Sequence, residues 1–121
     1  EPTLIDVDTL EWDHEFGPPS CPHCGKHVRP NVVWFGEVLP AHAVNTAMQI
    51  TENCDVMLIV GTSGLVTPAA SLPALAKSRG AVLVEVNPDH SMITRIADIK
   101  LDGPSGQMLP QMLAAMDAAD A

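Results

Sequence analysis

The 121 residues predict an α/β fold built around a parallel sheet, and three observations carry that expectation. Asp55-Val56-Met57-Leu58-Ile59-Val60 is a continuous apolar run, and Ala81 to Val86 is nearly one, as in strands buried on both faces. Between them lies a helical stretch that opens at Thr67-Pro68 and stops at Gly80. Each apolar run ends in a turn-forming cluster, Gly61-Thr62-Ser63-Gly64 and Asn87-Pro88-Asp89. Strand, turn, helix and strand in that order make a βαβ unit, whose strands are parallel and whose crossover is right-handed in nearly all cases.

Taken in order, residues 1–20 are acidic and broken by Gly17-Pro18-Pro19, which predicts a loop with at most a short strand at Thr3–Val7. Residues 21–31 form a knuckle, and the β-formers Val32–Phe35 predict a short strand. From Pro40 to about Glu52, Val44, Met48 and Thr51 recur at helical spacing, and Pro40 suits a first turn. Ala69 to Arg79 predicts a helix that Pro73 bends or interrupts. Ile99–Leu101 predicts a third strand and Gly106 to about Ala118 a last helix.

Composition narrows the function classes. Hydrophobic residues make up 46% of the chain, which argues against disorder. The formal net charge of −9, with six Lys and Arg in all, disfavours a nucleic-acid surface and makes a basic peptide the easier partner. No apolar run reaches the ~18–20 residues of a membrane span. The chain opens without Met and without a basic, apolar leader, which reads as a fragment or processed product. Three cysteines are too few for a disulfide framework and fit a reducing compartment, the cytoplasm.

Cys21-x-x-Cys24-Gly25 has the spacing of half a tetrahedral zinc site, because two intervening residues let both thiolates reach one ion. The other half comes from upstream sequence or from His14, His23 or His27. The alternatives are a metal-free remnant and a redox pair; against the latter, the motif does not open a helix, where a thiolate is stabilised. Cys54 stands alone before a buried strand and reads as packed. Gly61-Thr62-Ser63-Gly64 lacks a G-x-G-x-x-G or a Walker lysine, so composition leaves it between a tight turn and a ligand loop with two hydroxyls. In parallel sheets, ligands sit at the carboxyl ends of the strands, which singles out this turn and Asn87-Pro88-Asp89. Trp34 and Phe35 are adjacent and so point to opposite sides of a strand; two of only four aromatics ending at a Gly read as a site more than as core.

C-P-H-C-G, R-P-N-V-V-W-F-G-E-V-L-P, D-V-M-L-I-V-G-T-S-G-L-V-T-P-A-A, G-A-V-L-V-E-V-N-P-D and G-P-S-G-Q-M-L-P, in that order, resemble the sirtuins, the NAD-dependent protein lysine deacylases. The resemblance covers residues 21 to about 113, and the R-P-x-V-V-W-F-G-E variant is most similar to the bacterial and mitochondrial-type members. It implies the C-terminal half of a Rossmann-like parallel-sheet domain (residues 32–121) with one arm of a small zinc-binding module (residues 1–31). It implies NAD contacts from Gly61, Thr62, Ser63, Asn87, Pro88, Asp89 and Ser105. It implies an acyl-lysine peptide against Val33, Trp34, Phe35, Gly36 and Glu37, with the Val33 carbonyl facing the acyl-lysine nitrogen, and Zn²⁺ on Cys21 and Cys24.

The implied reaction is attack of the acyl oxygen on the ribose anomeric carbon, loss of nicotinamide, and acyl transfer to ADP-ribose. The family's Gly-rich G-A-G-x-S motif, Gln-Asn pair and catalytic His precede the zinc module, and none of them occurs in these 121 residues. His14, His23, His27, His42 and His90 all lack the H-G context, so no catalytic residue is assigned. The expected partner that completes the site is the N-terminal half of the same domain. The rival reading is a non-catalytic nucleotide- or peptide-binding module.

Overall fold

The computed structural model describes residues 4–13, 15 and 17–119. They fall into two compact units, Glu1–Leu39 and Pro40–Ala121.

The first unit is held by turns. A 3-10 turn at Val7–Thr9 is capped by the Asp6 carboxylate, which accepts the Asp8 N–H at 3.1 Å. The strand expected at Thr3–Val7 does not form over residues 4–7, because Asp6 draws the chain into this turn instead; Thr3 lies outside the described residues. Cys21 and Lys26 close a knuckle, with Cys21 N–H donating to the Lys26 carbonyl at 2.7 Å and Gly25 N–H to the Cys21 carbonyl at 2.9 Å. Ser20 and His27 bridge antiparallel across its base. Val32–Phe35 is not a strand. Without a ladder partner among the described residues, its β-propensity has nothing to act on, and a turn closes there through Glu37 N–H and the Trp34 carbonyl at 3.0 Å.

The second unit is the expected α/β layer. Helix α1 spans Ala41–Glu52, strand β1 Val56–Val60, helix α2 Leu72–Ser78, strand β2 Val82–Asn87, strand β3 Ile99–Asp102 and helix α3 Ser105–Ala119. The sheet order is β1-β2-β3, all parallel, with Val56 opposite Val82 and Val84 opposite Ile99. The helix expected over 69–79 is split: Ala69–Ser71 is a 3-10 turn, and α2 proper begins at Leu72. Pro73 therefore sits in the first turn of α2, where its missing N–H removes no helical bond. Helix α2 ends with Gly80 N–H on the Lys77 carbonyl and Ala81 N–H on the Ala76 carbonyl, the paired bonds of a Schellman motif.

The core lies under one face of the sheet. Ile59, Ala76, Ala81, Leu83 and Ile93 are buried together, with Cys54, Met57 and Ile96 packed against them. Helix α2 packs on β1 and β2, α1 on α2, and α3 on β2. Asp98 ties the return loop to β2: its carboxylate accepts the Leu83 N–H and the Lys77 ammonium, both at 2.8 Å. These donors, the backbone N–H foremost, hold the Asp98 carboxyl below its ordinary range.

The two strands expected to be buried on both faces differ. In β2, every residue from Leu83 to Asn87 is buried. In β1, only one face is covered: Val56 is 58%, Leu58 44% and Val60 38% exposed. Val82 continues that open apolar face, and β1 is the edge of the described sheet.

Candidate functional site

The parallel strands place three chain reversals at one end of the sheet, the carboxyl end, as the βαβ pattern requires. After β1 comes the Gly61–Gly64 turn, after β2 Asn87-Pro88-Asp89, and after β3 Gly103-Pro104 leading into Ser105, the first residue of α3. All seven residues that sequence reasoning gave to a nucleotide thus stand at this one end.

The first two reversals are tied together. Gly61 N–H donates to the Val86 carbonyl at 3.0 Å, and the Asn87 side-chain amide donates to the Thr62 carbonyl at 3.0 Å. The Asn87 amide oxygen accepts the Asp89 N–H at 3.2 Å. Both ends of this buried amide are therefore engaged within the chain. Gly61 has φ +60, and a Cβ there would meet nothing within 4 Å, so its outer side is open to a ligand. Gly64 also has a positive φ, +68, but a Cβ there would lie 2.7 Å from Ile93 Cδ1. The Thr62 hydroxyl accepts the Gly64 N–H at 3.2 Å. The Ser63 hydroxyl and the Asp89 carboxylate have no hydrogen-bond partner among the described residues. Ser63 lines a cavity of about 470 Å³ whose other walls include His90, Met92 and Arg95. That volume is within the range of small-ligand sites.

Geometry thus sorts the seven residues. Ser63 and Asp89 offer unspent polar groups, Gly61 offers approach, and Asn87 and Thr62 hold the turns. The open turn and free hydroxyl fit a ribose or phosphate, which needs donors, acceptors and close backbone.

In the first unit, Cys21 and Cys24 are free thiols at the knuckle. The backbone N–H groups of His23 and then Cys24 hold the Cys21 thiol below its ordinary range, as a thiolate ligand requires. No third His, Cys, Asp or Glu joins them in a metal-holding cluster among the described residues. His27 Nδ1 lies 3.2 Å from the Pro18 carbonyl, and His14 is outside the described residues. The pair fits two of the four ligands of a zinc site.

The segment Val33-Trp34-Phe35-Gly36-Glu37 is exposed, Phe35 at 91%. What shapes it is a contact that sequence reasoning missed. Arg29 donates to Glu37 Oε1 at 2.6 Å and Oε2 at 3.1 Å, and to the Val32 carbonyl at 2.6 Å; Glu37 Oε2 also accepts the Trp34 N–H at 3.0 Å. The guanidinium lies 5.6 Å from the Trp34 ring centroid. Arg29 and Glu37 lie outside any helix or strand, so no period links them and only the fold reveals the pair.

Arg29 first, then the Trp34 N–H, hold the Glu37 carboxyl down from 4.5 to about 2. A depressed carboxyl stabilises the turn fully above about pH 4.5 and loses that contribution as pH falls through about 2. The Trp34 amide and indole resonances are therefore expected to shift over that window. Resonances flat down to pH 2 would show that the turn stands without the pair.

A parallel sheet whose strand ends gather an open glycine backbone and an unspent hydroxyl fits the class of α/β nucleotide-binding domains. The comparisons with known proteins agree and go further. The Sir2 family model matches residues 4–68, and this chain belongs to the Sir2 family. An NAD-dependent protein deacylase of Thermococcus kodakarensis is 50% identical over 104 residues, which cover 86% of this chain and 40% of that protein. One of Ralstonia nicotianae is 52% identical over 109 residues, 90% of this chain and 43% of that protein. The crystal structure of a Sir2 homolog–NAD complex superposes with a TM-score of 0.78 at 42% identity, covering 87% of this chain and 41% of that one. A Sir2 protein bound to a myristoylated histone peptide gives 0.74 at 40% identity, with 79% and 41% covered. The chain spans about two fifths of the length of the curated relatives it matches.

No described helix is long and apolar enough to cross a membrane.

Proposed function

We propose that these residues are the C-terminal portion of an NAD-dependent protein lysine deacylase, with the N-terminal half of the same domain as the partner that completes the site. The observation that carries the reading is the joined pair of strand-end turns, with the Ser63 hydroxyl left unspent beside the open Gly61 backbone. The 42% identity to a chain solved as an NAD complex supports it.

Bound NAD supplies an electrophilic ribose carbon with nicotinamide as leaving group, so that the acyl group passes from lysine to ADP-ribose. Gly61 lets the backbone approach the nucleotide, the Ser63 hydroxyl bonds a phosphate oxygen or a ribose hydroxyl, the Asp89 carboxylate accepts from a ribose hydroxyl, and Pro88 and Ser105 border the adenosine end. Asn87 keeps the two turns in register. Val33 to Glu37 contact the acyl-lysine peptide, with Arg29 fixing the carboxylate of Glu37 so that the backbone there is presented in one shape. Solved relatives bound to a myristoylated histone peptide and to a p53 peptide with NAD⁺ support a peptide partner of this kind. The general base comes from the other half, where the family's catalytic His lies.

The deciding experiment is steady-state kinetics in NAD on the intact protein. Ser63→Ala is expected to raise the KM for NAD by a lost hydrogen bond of about 1 kcal/mol without changing the melting temperature. Asn87→Ala is expected to raise KM and also lower the melting temperature, because it frees the Thr62 carbonyl and the Asp89 N–H. Unchanged NAD kinetics in both variants would overturn the nucleotide assignment.

Cys21 and Cys24 supply two thiolates to a structural zinc ion, the remaining ligands coming from outside the described cluster. Elemental analysis of the intact protein is expected to give about one zinc per chain. Cys24→Ser is expected to lower folding stability and not merely turnover, since metal free energy is folding free energy. A metal-free, fully folded wild-type protein would exclude the zinc role.

A further inference from the structure

Strand β2 carries a carboxyl group in the middle of its apolar run. Glu85 is 1% exposed, and hydroxyls meet it from two sides. Ser91 Oγ donates a short hydrogen bond to Oε1, and Thr94 Oγ1 donates to Oε2 at 2.6 Å. Each hydroxyl oxygen in turn accepts a backbone N–H of the same loop: Ile93 N–H on Ser91 Oγ at 3.0 Å, and Ser91 N–H on Thr94 Oγ1 at 2.9 Å. One buried carboxyl group therefore fixes the conformation of residues 91–94.

That loop is fastened to the turn after β1. Met92 N–H donates to the Ser63 carbonyl at 3.2 Å. Ile93 packs so closely on Gly64 that no Cβ fits between them. Ser91, Met92 and Thr94 line the same cavity as Ser63. An aliphatic side chain at position 85 would pack in this layer without the cost of desolvating a carboxyl group. What Glu85 adds over an aliphatic residue is a fixed loop geometry.

We infer that Glu85 is a positioning residue for the nucleotide: through Ser91 and Thr94 it sets the 91–94 loop, and through that loop the placement of the Gly61–Gly64 turn and its Ser63 hydroxyl. The inference rests on the nucleotide reading above and adds a residue that touches no ligand.

Two variants of the intact protein test it beside Ser63→Ala. Glu85→Gln keeps the shape but presents one hydroxyl with an NH₂ group in place of an acceptor. The triple variant Glu85→Leu, Ser91→Ala, Thr94→Val removes all three partners together, so no buried side-chain polar group is stranded, although the Ile93 and Ser91 N–H groups lose their acceptors. Both are expected to raise the KM for NAD about five- to tenfold, with kcat within about twofold and the KM for peptide unchanged. Amide hydrogen exchange is expected to quicken at Met92 and Gly64 while the Leu83 and Val84 amides keep their protection.

If Ser63→Ala raises KM and neither Glu85 variant does, the positioning role is overturned and the nucleotide site stands. If exchange quickens equally across β2 and the loop, Glu85 is a general stabiliser and the inference fails. If none of the three variants alters KM, the nucleotide reading falls and this role with it.

Discussion

Incubated alone with NAD and an acyl-lysine peptide, residues 1–121 are expected to form no acyl-ADP-ribose. The reaction needs a base for the ribose hydroxyl and a pocket for nicotinamide, and the family motifs that supply both are not in this sequence. The sheet predicts the physical behaviour of the isolated chain. Val56, Leu58, Val60 and Val82 form an open apolar face beside the unpaired edge of β1. Covering such side chains contributes on the order of 1 kcal/mol each, and an uncovered apolar edge is a template for association. Sedimentation of the isolated chain should show aggregates or higher oligomers, and adding the N-terminal half as a separate polypeptide should yield a discrete complex with deacylase activity. Robust NAD-dependent deacylation by the chain alone, with no companion polypeptide detected by mass spectrometry, would refute this and would demand a catalytic role for a histidine already present.

Gly64→Ala carries the second large effect. At φ +68 an L-residue costs roughly 1–2 kcal/mol, and forcing a methyl against the Ile93 side chain adds roughly 1–3 kcal/mol. A small domain is stable by roughly 5–15 kcal/mol, so the combined loss is a substantial share. Denaturant unfolding of the intact protein should show this loss together with weakened NAD affinity, because Ile93, beside the Met92 N–H on the Ser63 carbonyl, is where the 91–94 loop bears on the turn. Gly61→Ala has the same sign of φ but open space around it, so it should cost only the backbone term. Equal losses in the two variants would show that the Ile93 contact is unimportant.

Much of this was legible in the sequence because local signals carried it. The apolar runs Asp55–Val60 and Ala81–Val86 predicted the strands found at Val56–Val60 and Val82–Asn87, Gly80 a helix stop, and the order of turns a parallel sheet. The Sir2 motifs were legible as an ordered set and are supported by the family match. What escaped depends on contacts between distant residues. Glu85 passed as part of an apolar run, since its partners Ser91 and Thr94 lie in a loop with no period to betray them. Val32–Phe35 looked like a strand because β-branched and aromatic residues favour one, but the Glu37 carboxylate takes the Trp34 N–H that a ladder would use. The strand-end place of Asn87 was legible, but not the bonds of its amide to the Thr62 carbonyl and the Asp89 N–H. Propensity and motif place such side chains without saying which partner claims them.

The agreement between sheet order and chain order has a kinetic consequence. Each strand pairs with the next one along the chain, Val56 with Val82 and Val84 with Ile99, yet every pairing is parallel and must be closed across a crossover. Loop-closure entropy is spent before such contacts form, so parallel pairings fold more slowly than hairpins do. On the reading proposed above, the step that follows is the pairing of the β1 edge with the N-terminal half of the domain. Until the β1 edge is covered, its exposed apolar side chains stay available for association.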